Sequence, residues 1–259
     1  MVKGLLLSFD LMILGIVTLI FIAFTFLVAI KIIAKYFETK NKIFLYAGIS
    51  YLGGFFAWTG VALNFISVVF FDTIPSMEIH FFLHGALLPF TLWLWIMTNL
   101  KFTHLKPKIQ KMIMIISLII AIIFDIVYIT IIFTDTTILG TLINEIQVDY
   151  APFSEIYLLI MAIIMISLGL WLGRTSSKSE DPRIRLKGRL IIYSFIITLF
   201  AYILEIFIPI ISVIIFARII VMFTSILFYG GFVLPKWMEK LFLKEPAYQD
   251  LLPDIKKSS

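Results

Sequence analysis

The chain has 259 residues, of which 61% are hydrophobic, 16% aromatic and 14% charged, and its mean hydropathy is +1.08. Soluble domains carry about 25% charged and roughly 45–50% apolar residues, so this composition excludes a water-soluble globular enzyme, a disordered chain and a nucleic-acid-binding protein. The absence of cysteine excludes disulfides and thiolate metal sites. We therefore expect an integral membrane protein.

Apolar runs long enough to cross a bilayer predict seven spans. A span needs about 20 mainly apolar residues, because the hydrocarbon core is about 30 Å thick. The predicted spans cover residues 10–33, 43–71, 79–100, 112–133, 153–172, 190–208 and 212–234. The last two come from one unbroken apolar run, in which Pro209 near the midpoint predicts a tight turn at about residues 208–213. The predicted fold is an all-α, polytopic seven-helix bundle.

The basic residues predict the orientation of this bundle. Nineteen of the 21 lysine and arginine residues fall on one side, in segments 31–42, 101–111, 174–189 and 236–257. The opposite side has only Lys3, and Arg218 lies within a span. Because short loops rich in lysine and arginine face the cytoplasm, we expect an outer N-terminus, a cytoplasmic C-terminus and a multi-pass protein of the plasma membrane. The basic charge is expected to contact anionic lipid of the bilayer rather than nucleic acid.

Residues 1–234 thus form the predicted membrane domain, and residues 235–259 a short cytoplasmic segment. Trp237, Met238, Leu241 and Phe242 fall on one face of a helix whose other face is largely charged. This pattern is typical of a short helix lying in the membrane interface. The residues after it are expected to form a polar tail.

Ionisable side chains inside a membrane are costly and mark functional sites. At about 1.5 Å of rise per residue, His84, Asp125, Glu205 and Arg218 are predicted to lie at one level in the outer half. Glu205 and Arg218 are placed symmetrically about the turn between the last two spans, which predicts a buried ion pair, either a functional switch or a structural clip. The candidates for an outward-facing ligand pocket at this level are Trp58, Asn64, His80, His84, Asp125, Tyr202, Glu205 and Arg218.

Metal and cofactor chemistry has little support in the sequence. His80 and His84 lie four residues apart on one helical face, a weak metal-site pattern that a carboxylate would have to complete; polar residues lining a cavity are the alternative. The third histidine, His104, is predicted on the same helix, which excludes haem held by histidines from two helices. The last span has no lysine for a retinal Schiff base. We assign no catalytic residue and no cofactor.

Two segments carry a family resemblance. Residues 84–100, HGALLPFTLWLWIMTNL, resemble helix three of the seven-helix sensor region of prokaryotic histidine kinases. Residues 228–242, FYGGFVLPKWMEKLF, are similar to the way such bundles leave the membrane. The resemblance implies a receptor-like sensor with an outer N-terminus. Such sensors feed a kinase or cyclase, whereas 25 residues follow the last predicted span here, so the expected output is a separate cytoplasmic partner at residues 174–189.

Four functions remain open at this point. The first is a sensor whose outward-facing polar pocket binds a small molecule. The second is a membrane scaffold or assembly subunit without a ligand. The third is a small-solute or proton-coupled transporter that uses Asp125, Glu205 and Arg218. The fourth, and the only enzyme among them, is a membrane-embedded metal hydrolase built on His80, His84 and a carboxylate.

Overall fold

The structure, a computed structural model, describes residues 7–208 and 210–243. Seven helical segments in these ranges are long and apolar enough to cross a membrane, which confirms the predicted all-α polytopic bundle. Five spans are single helices: α1 (Phe9–Thr39), α6 (Pro107–Thr134), α7 (Pro152–Ser177), α8 (Pro182–Phe207) and α9 (Ile211–Phe232). Span 2 comprises α2 (Lys42–Gly54) and α3 (Thr59–Phe71), and span 3 comprises α4 (Met77–Gly85) and α5 (Leu88–Leu100).

The helices extend past the apolar runs, mostly on the side of the basic segments, which we call the basic side. The sixth span, for example, begins at Pro182 and not at residue 190 as predicted. The Asp181 carboxylate caps this end by accepting a hydrogen bond of 2.8 Å from the Arg183 amide, and proline at the first helical position has no amide hydrogen left to satisfy. Local capping, rather than hydropathy, therefore sets where the helix starts.

Spans 2 and 3 are each divided into two helices. A 3₁₀ turn at Phe56–Trp58 separates α2 from α3, and a turn at residues 86–87 separates α4 from α5. The two spans approach closely beside these breaks, since a Cβ atom on Gly53 would lie 1.7 Å from Thr91 Cγ2. The Ser50 hydroxyl also donates to the Thr91 carbonyl across this contact, at 2.8 Å. Tight packing at the breaks positions the residues described below.

The turn predicted between the last two spans is present. Helix α8 ends at Phe207 and α9 begins at Ile211, with Pro209 itself outside the described residues. The two helices pack closely along their length, and the hydroxyls of Thr198 and Thr224 share a hydrogen bond of 3.0 Å. This antiparallel hairpin brings Glu205 and Arg218 to the same end of the bundle.

The segment between spans 4 and 5 forms an antiparallel β-hairpin of β1 (Gly140–Leu142) and β2 (Val148–Tyr150), in which Gly140 pairs with Tyr150. We call residues 135–151 the cap hairpin. Its apolar side chains insert into the bundle: Ile146 is fully buried against Leu14, Phe65 and Ile214, which belong to spans 1, 2 and 7. Leu139, also fully buried, packs against residues of spans 3, 4 and 5. The cap hairpin therefore covers the end of the bundle opposite the basic side.

A last helix, α10 (Lys236–Phe242), follows span 7 on the basic side. Trp237, Leu241 and Phe242 are exposed, as expected of an interfacial helix. Met238, predicted on the same face, is instead buried: it is 2% exposed and packs against Leu190 and Leu234. The helix is anchored to the bundle by Met238, and the tail predicted after residue 243 lies outside the described residues.

Candidate functional site

The cap hairpin places one aromatic side chain inside the bundle. The ring of Tyr150 stacks on that of His84, with 4.5 Å between the ring centroids, and its hydroxyl lies 3.2 Å from His84 Nδ1. The same nitrogen lies 2.5 Å from the Ala57 carbonyl oxygen, at the break in span 2. Because a carbonyl only accepts hydrogen bonds, Nδ1 carries the hydrogen and donates to Ala57. His84 thus joins the break in span 2 to the cap hairpin.

The charged pair predicted from the turn lies close to this contact. Arg218 Nη2 is 3.6 Å from Glu205 Oε1, and Arg218 Nη1 donates to the hydroxyl of Thr18 in span 1. The Trp58 indole N–H donates to Glu205 Oε1 at 3.3 Å, and Tyr202 stacks on the Trp58 ring with 5.6 Å between centroids. The side chain of Arg218 is 5% exposed and that of Glu205 22%. The guanidinium is therefore the more deeply desolvated of the two charges.

Tyr150 links the two contacts electrostatically. Burial raises the pKa of Tyr150, the Glu205 carboxylate raises it further, and the Arg218 guanidinium opposes both. The two contacts also meet at the break in span 2, because Trp58, which donates to Glu205, directly follows Ala57, which accepts from His84. We call the connected group the polar cluster, and its members are Thr18, Trp58, His84, Tyr150, Glu205 and Arg218. They come from spans 1, 2, 3, 6 and 7 and from the cap hairpin.

Several polar atoms around the cluster are buried without a hydrogen bond among the described residues: both ring nitrogens of His80, both amide atoms of Asn64, His84 Nε2 and Arg218 Nε. The His80 ring lies 6.1 Å from that of His84, centroid to centroid, and against the backbone of Gly60. Buried polar groups are nearly always paired with protein, water or ligand. These atoms therefore offer hydrogen-bonding positions for water or a small polar ligand.

Asp125 does not join the polar cluster in the way that its predicted level suggested. Both of its carboxylate oxygens are buried without a hydrogen bond in the described part of the chain. The neighbouring Phe124 stacks on Tyr157 of span 5, whose hydroxyl donates at 2.9 Å to the carbonyl of Gly85 at the break in span 3. Helix α6, which carries Asp125, packs mainly on the two helices of span 3.

Most of the residues predicted to line an outward-facing pocket are buried in this structure. His80 and Asn64 are at most 1% exposed, His84 is 2% exposed and Arg218 4%. The cap hairpin covers this end of the bundle through Tyr150 and Ile146. Within residues 7–208 and 210–243, no three histidine or acidic side chains lie close enough together to hold a metal ion.

Two members of the cluster were not predicted. Nothing in the sequence marks Thr18 as a partner of Arg218, because a threonine within a span ordinarily forms a hydrogen bond with its own helix. Thr18 does this too, since its hydroxyl donates to the Leu14 carbonyl at 2.6 Å. Tyr150 did have a signal: turn-forming residues around Asn144 separate two short segments, a pattern that indicates a hairpin. A hairpin next to the end of a bundle would have suggested that one of its aromatic residues inserts.

No protein-family model matches the sequence, and a search of curated proteins finds no match. The resemblance carried by residues 84–100 and 228–242 therefore stays a prediction. The features that bear on function are the seven-span bundle, its cap hairpin and the polar cluster between them.

Proposed function

We propose that this protein is a receptor-type sensor of the plasma membrane, with the polar cluster as its signal-receiving element. The supporting observation is the insertion of Tyr150 against His84, beside the Glu205–Arg218 pair. Through Ile146 and Leu139 the same segment also packs against residues of spans 1, 2 and 7 and of spans 3, 4 and 5. Displacing this segment would change the surroundings of the Glu205–Arg218 pair. A pair that only held spans 6 and 7 together would need no such link to a segment outside the spans.

The proposed signal starts at the cap hairpin. A small polar molecule that enters beneath it would bind atoms left without partners on His80, Asn64 and Arg218. Withdrawal of Tyr150 would remove its interaction with His84 and with the two charges. Because interactions between charges are strong in a dry interior, this change would favour a different packing of α8 against α9. A ligand acts by binding one such arrangement better than the other.

The proposed output lies at the other end of α8. This helix runs unbroken from the polar cluster to Pro182, and its first residues, 182–189, belong to the basic segment 174–189. A cytoplasmic partner bound to that segment would respond to a shift of the helix. The proposal includes the orientation argued from the basic residues, with the N-terminus and the cap hairpin outside and the basic side in the cytoplasm.

The absence of cysteine from the sequence makes a direct test possible. Cysteines at Lys101, at the end of α5, and at Ile184, near the start of α8, occupy exposed positions on the basic side and would carry spin labels in protein reconstituted into nanodiscs. Their distance distribution is measured by pulsed electron paramagnetic resonance. Tyr150→Ala should alter this distribution, whereas Tyr193→Ala, at an exposed tyrosine of α8, should not. An unchanged distribution in Tyr150→Ala would instead favour the scaffold.

A transporter is the second candidate, and the breaks in spans 2 and 3 favour it. Discontinuous helices at membrane depth form the substrate sites of many transporters. Against it, His84 and Tyr157 already occupy the carbonyls of Ala57 and Gly85 at the two breaks. Proton uptake into proteoliposomes, lost in Glu205→Gln and retained in Glu180→Gln at an exposed acid of the basic side, would establish the transporter.

A further inference from the structure

Spans 3, 4 and 5 leave a groove open in the half of the bundle nearest the basic side. Its volume is about 230 Å³, and its walls are Ile96, Asn99, Leu100, Thr103, Ile113, Leu168 and Trp171. Spans 4 and 5 both pack on span 3. They meet each other through aromatic rings only in the other half, where Phe124 stacks on Tyr157 with 4.8 Å between centroids. The groove is distant from the polar cluster and independent of the proposed function.

The walls of the groove suit an apolar chain with a polar group at one end. Nearly all of the lining is aliphatic or aromatic. Asn99 is 3% exposed, and its amide nitrogen donates to the Trp95 carbonyl at 2.8 Å, whereas its Oδ1 atom is buried without a partner among the described residues. Trp171 is 40% exposed, and indole rings favour the headgroup level of a bilayer. The two side chains offer one acceptor and one donor near the end of the groove.

The rim of the groove carries two basic residues, and the sequence segments around its walls contain no acidic residue. Lys101 directly follows the wall residue Leu100, and Arg174 lies one turn beyond Trp171 on α7. Both side chains are exposed, and neither forms an ion pair within the described residues. Neither segment 79–124 nor segment 156–179 contains aspartate or glutamate. A ligand that sits in the groove with its head at this rim should therefore be anionic.

We propose that this groove is a binding site for one anionic glycerophospholipid of the leaflet on the basic side. One of its chains lies between spans 4 and 5, its phosphate contacts Lys101 and Arg174, and a hydroxyl of its headgroup donates to Asn99 Oδ1. A basic recess between membrane helices on the cytoplasmic side is the kind of surface that binds anionic headgroups. We infer a lipid and not another protein helix for two reasons. A phosphate would neutralise Lys101 and Arg174, which have no ion-pair partner among the described residues, and a single acyl chain matches the narrow apolar recess.

The test uses the full-length protein in nanodiscs of phosphatidylcholine with increasing fractions of phosphatidylglycerol whose chains are brominated. Bromine quenches indole fluorescence on contact, and the contribution of Trp171 is obtained by comparison with Trp171→Phe. We expect Trp171 to be quenched in a saturable way at low fractions of brominated phosphatidylglycerol. The same fractions of brominated phosphatidylcholine, in a phosphatidylglycerol background, should quench it only in proportion to their amount.

Two pairs of variants separate a specific site from general attraction to the membrane. Lys101→Gln with Arg174→Gln should weaken the preference for phosphatidylglycerol by roughly 30-fold, at about fivefold per basic residue. Lys236→Gln with Lys240→Gln removes the same amount of charge from α10 and should leave the preference for phosphatidylglycerol unchanged. Ile96→Phe, which fills the groove, should abolish saturation, whereas Ile120→Phe at a position 60% exposed on α6 should not. If the double variant does not fold, Lys101→Gln alone is compared with Lys236→Gln.

Three results would overturn the proposal. The first is quenching that rises linearly and equally for both lipids. The second is an equal loss of the preference for phosphatidylglycerol in the groove-rim and the α10 charge variants, which would mean that anionic lipid is attracted only by the overall positive charge of the basic side. The third is saturable quenching that survives in Ile96→Phe, which would place the bound lipid elsewhere.

Discussion

The Glu205–Arg218 pair gives the sharpest prediction for stability. Replacing either residue with leucine leaves the other charge in the membrane interior, whereas replacing both removes the charges together. Breaking a buried ion pair by removing one partner costs about 3–5 kcal/mol of unfolding free energy, while an apolar replacement of both partners is often neutral. We therefore expect each single variant to be less stable than the double variant.

The structure also orders the two single variants. Glu205→Leu leaves a guanidinium that is 5% exposed, so its loss should lie near the upper end of that range, at about 5 kcal/mol. Arg218→Leu leaves a carboxylate that is 22% exposed and still accepts from Trp58, so about 3 kcal/mol is expected. The double variant should lose about 1–2 kcal/mol, mainly because the Trp58 N–H loses its acceptor.

The measurement is equilibrium unfolding in mixed micelles with increasing dodecyl sulfate, followed by circular dichroism. A matched control is the exposed pair Lys35–Glu38, whose charged atoms lie 2.5 Å apart. Exposed pairs contribute about 0–1 kcal/mol to the unfolding free energy. Each single leucine variant of this pair should therefore lose little stability, and the double variant should lose the sum of the two. If the losses at Glu205 and Arg218 also add in the double variant, the two side chains do not act as a buried pair and the reasoning fails.

The remaining predictions concern the cap hairpin and the helix breaks. Tyr150→Phe removes the hydroxyl 3.2 Å from His84 and should destabilise the hairpin by about 1 kcal/mol, which hydrogen exchange of its amides measures. Burial raises the pKa of Tyr150 in the folded state above its ordinary value of 10.0. Its stabilising contribution is therefore complete below pH 10.0 and lost as the pH rises beyond it, and an alkaline melting series should show less loss in Tyr150→Phe than in the native chain. Gly53→Ala would place its Cβ 1.7 Å from Thr91 Cγ2 and should cost about 1–3 kcal/mol, whereas Gly54→Ala meets no atom closer than 3.8 Å and should be tolerated in the same thermal assay.

The sequence could predict the number of spans because a bilayer imposes a length on every apolar run. It could also predict that Glu205 faces Arg218, since a hairpin of two helices fixes which positions lie opposite one another. Hydropathy did not locate the breaks in spans 2 and 3, because the sequence stays apolar through them. Their local signals were present in the Gly53–Gly54 pair and in Pro89, but such residues also occur in unbroken membrane helices.

The partners of the ion pair could not be predicted for a different reason. Thr18 lies 200 residues from Arg218 in the chain, and no periodicity relates two such distant positions. Asp125 was predicted at the level of the ion pair, yet its carboxylate forms no hydrogen bond among the described residues, because the rise along a helix gives a level and says nothing of the direction in which a side chain points. Direction depends on how the helices pack, and each apolar helix here could turn several faces to its neighbours.

The composition of the polar cluster argues for more than a structural clip. A clip between spans 6 and 7 needs only Glu205 and Arg218, which the hairpin of α8 and α9 already brings together. Tyr150 comes from a segment outside the spans, and its ring stacks on His84, which bonds to Ala57 next to Trp58. Because coupling between two sites is reciprocal, the position of the cap hairpin must depend on the ion pair as much as the pair depends on the hairpin. The effect of Tyr150→Phe on amide exchange in the hairpin should therefore shrink when Glu205 and Arg218 are both leucine, and an effect of undiminished size would mean that the hairpin is held by its apolar side chains alone.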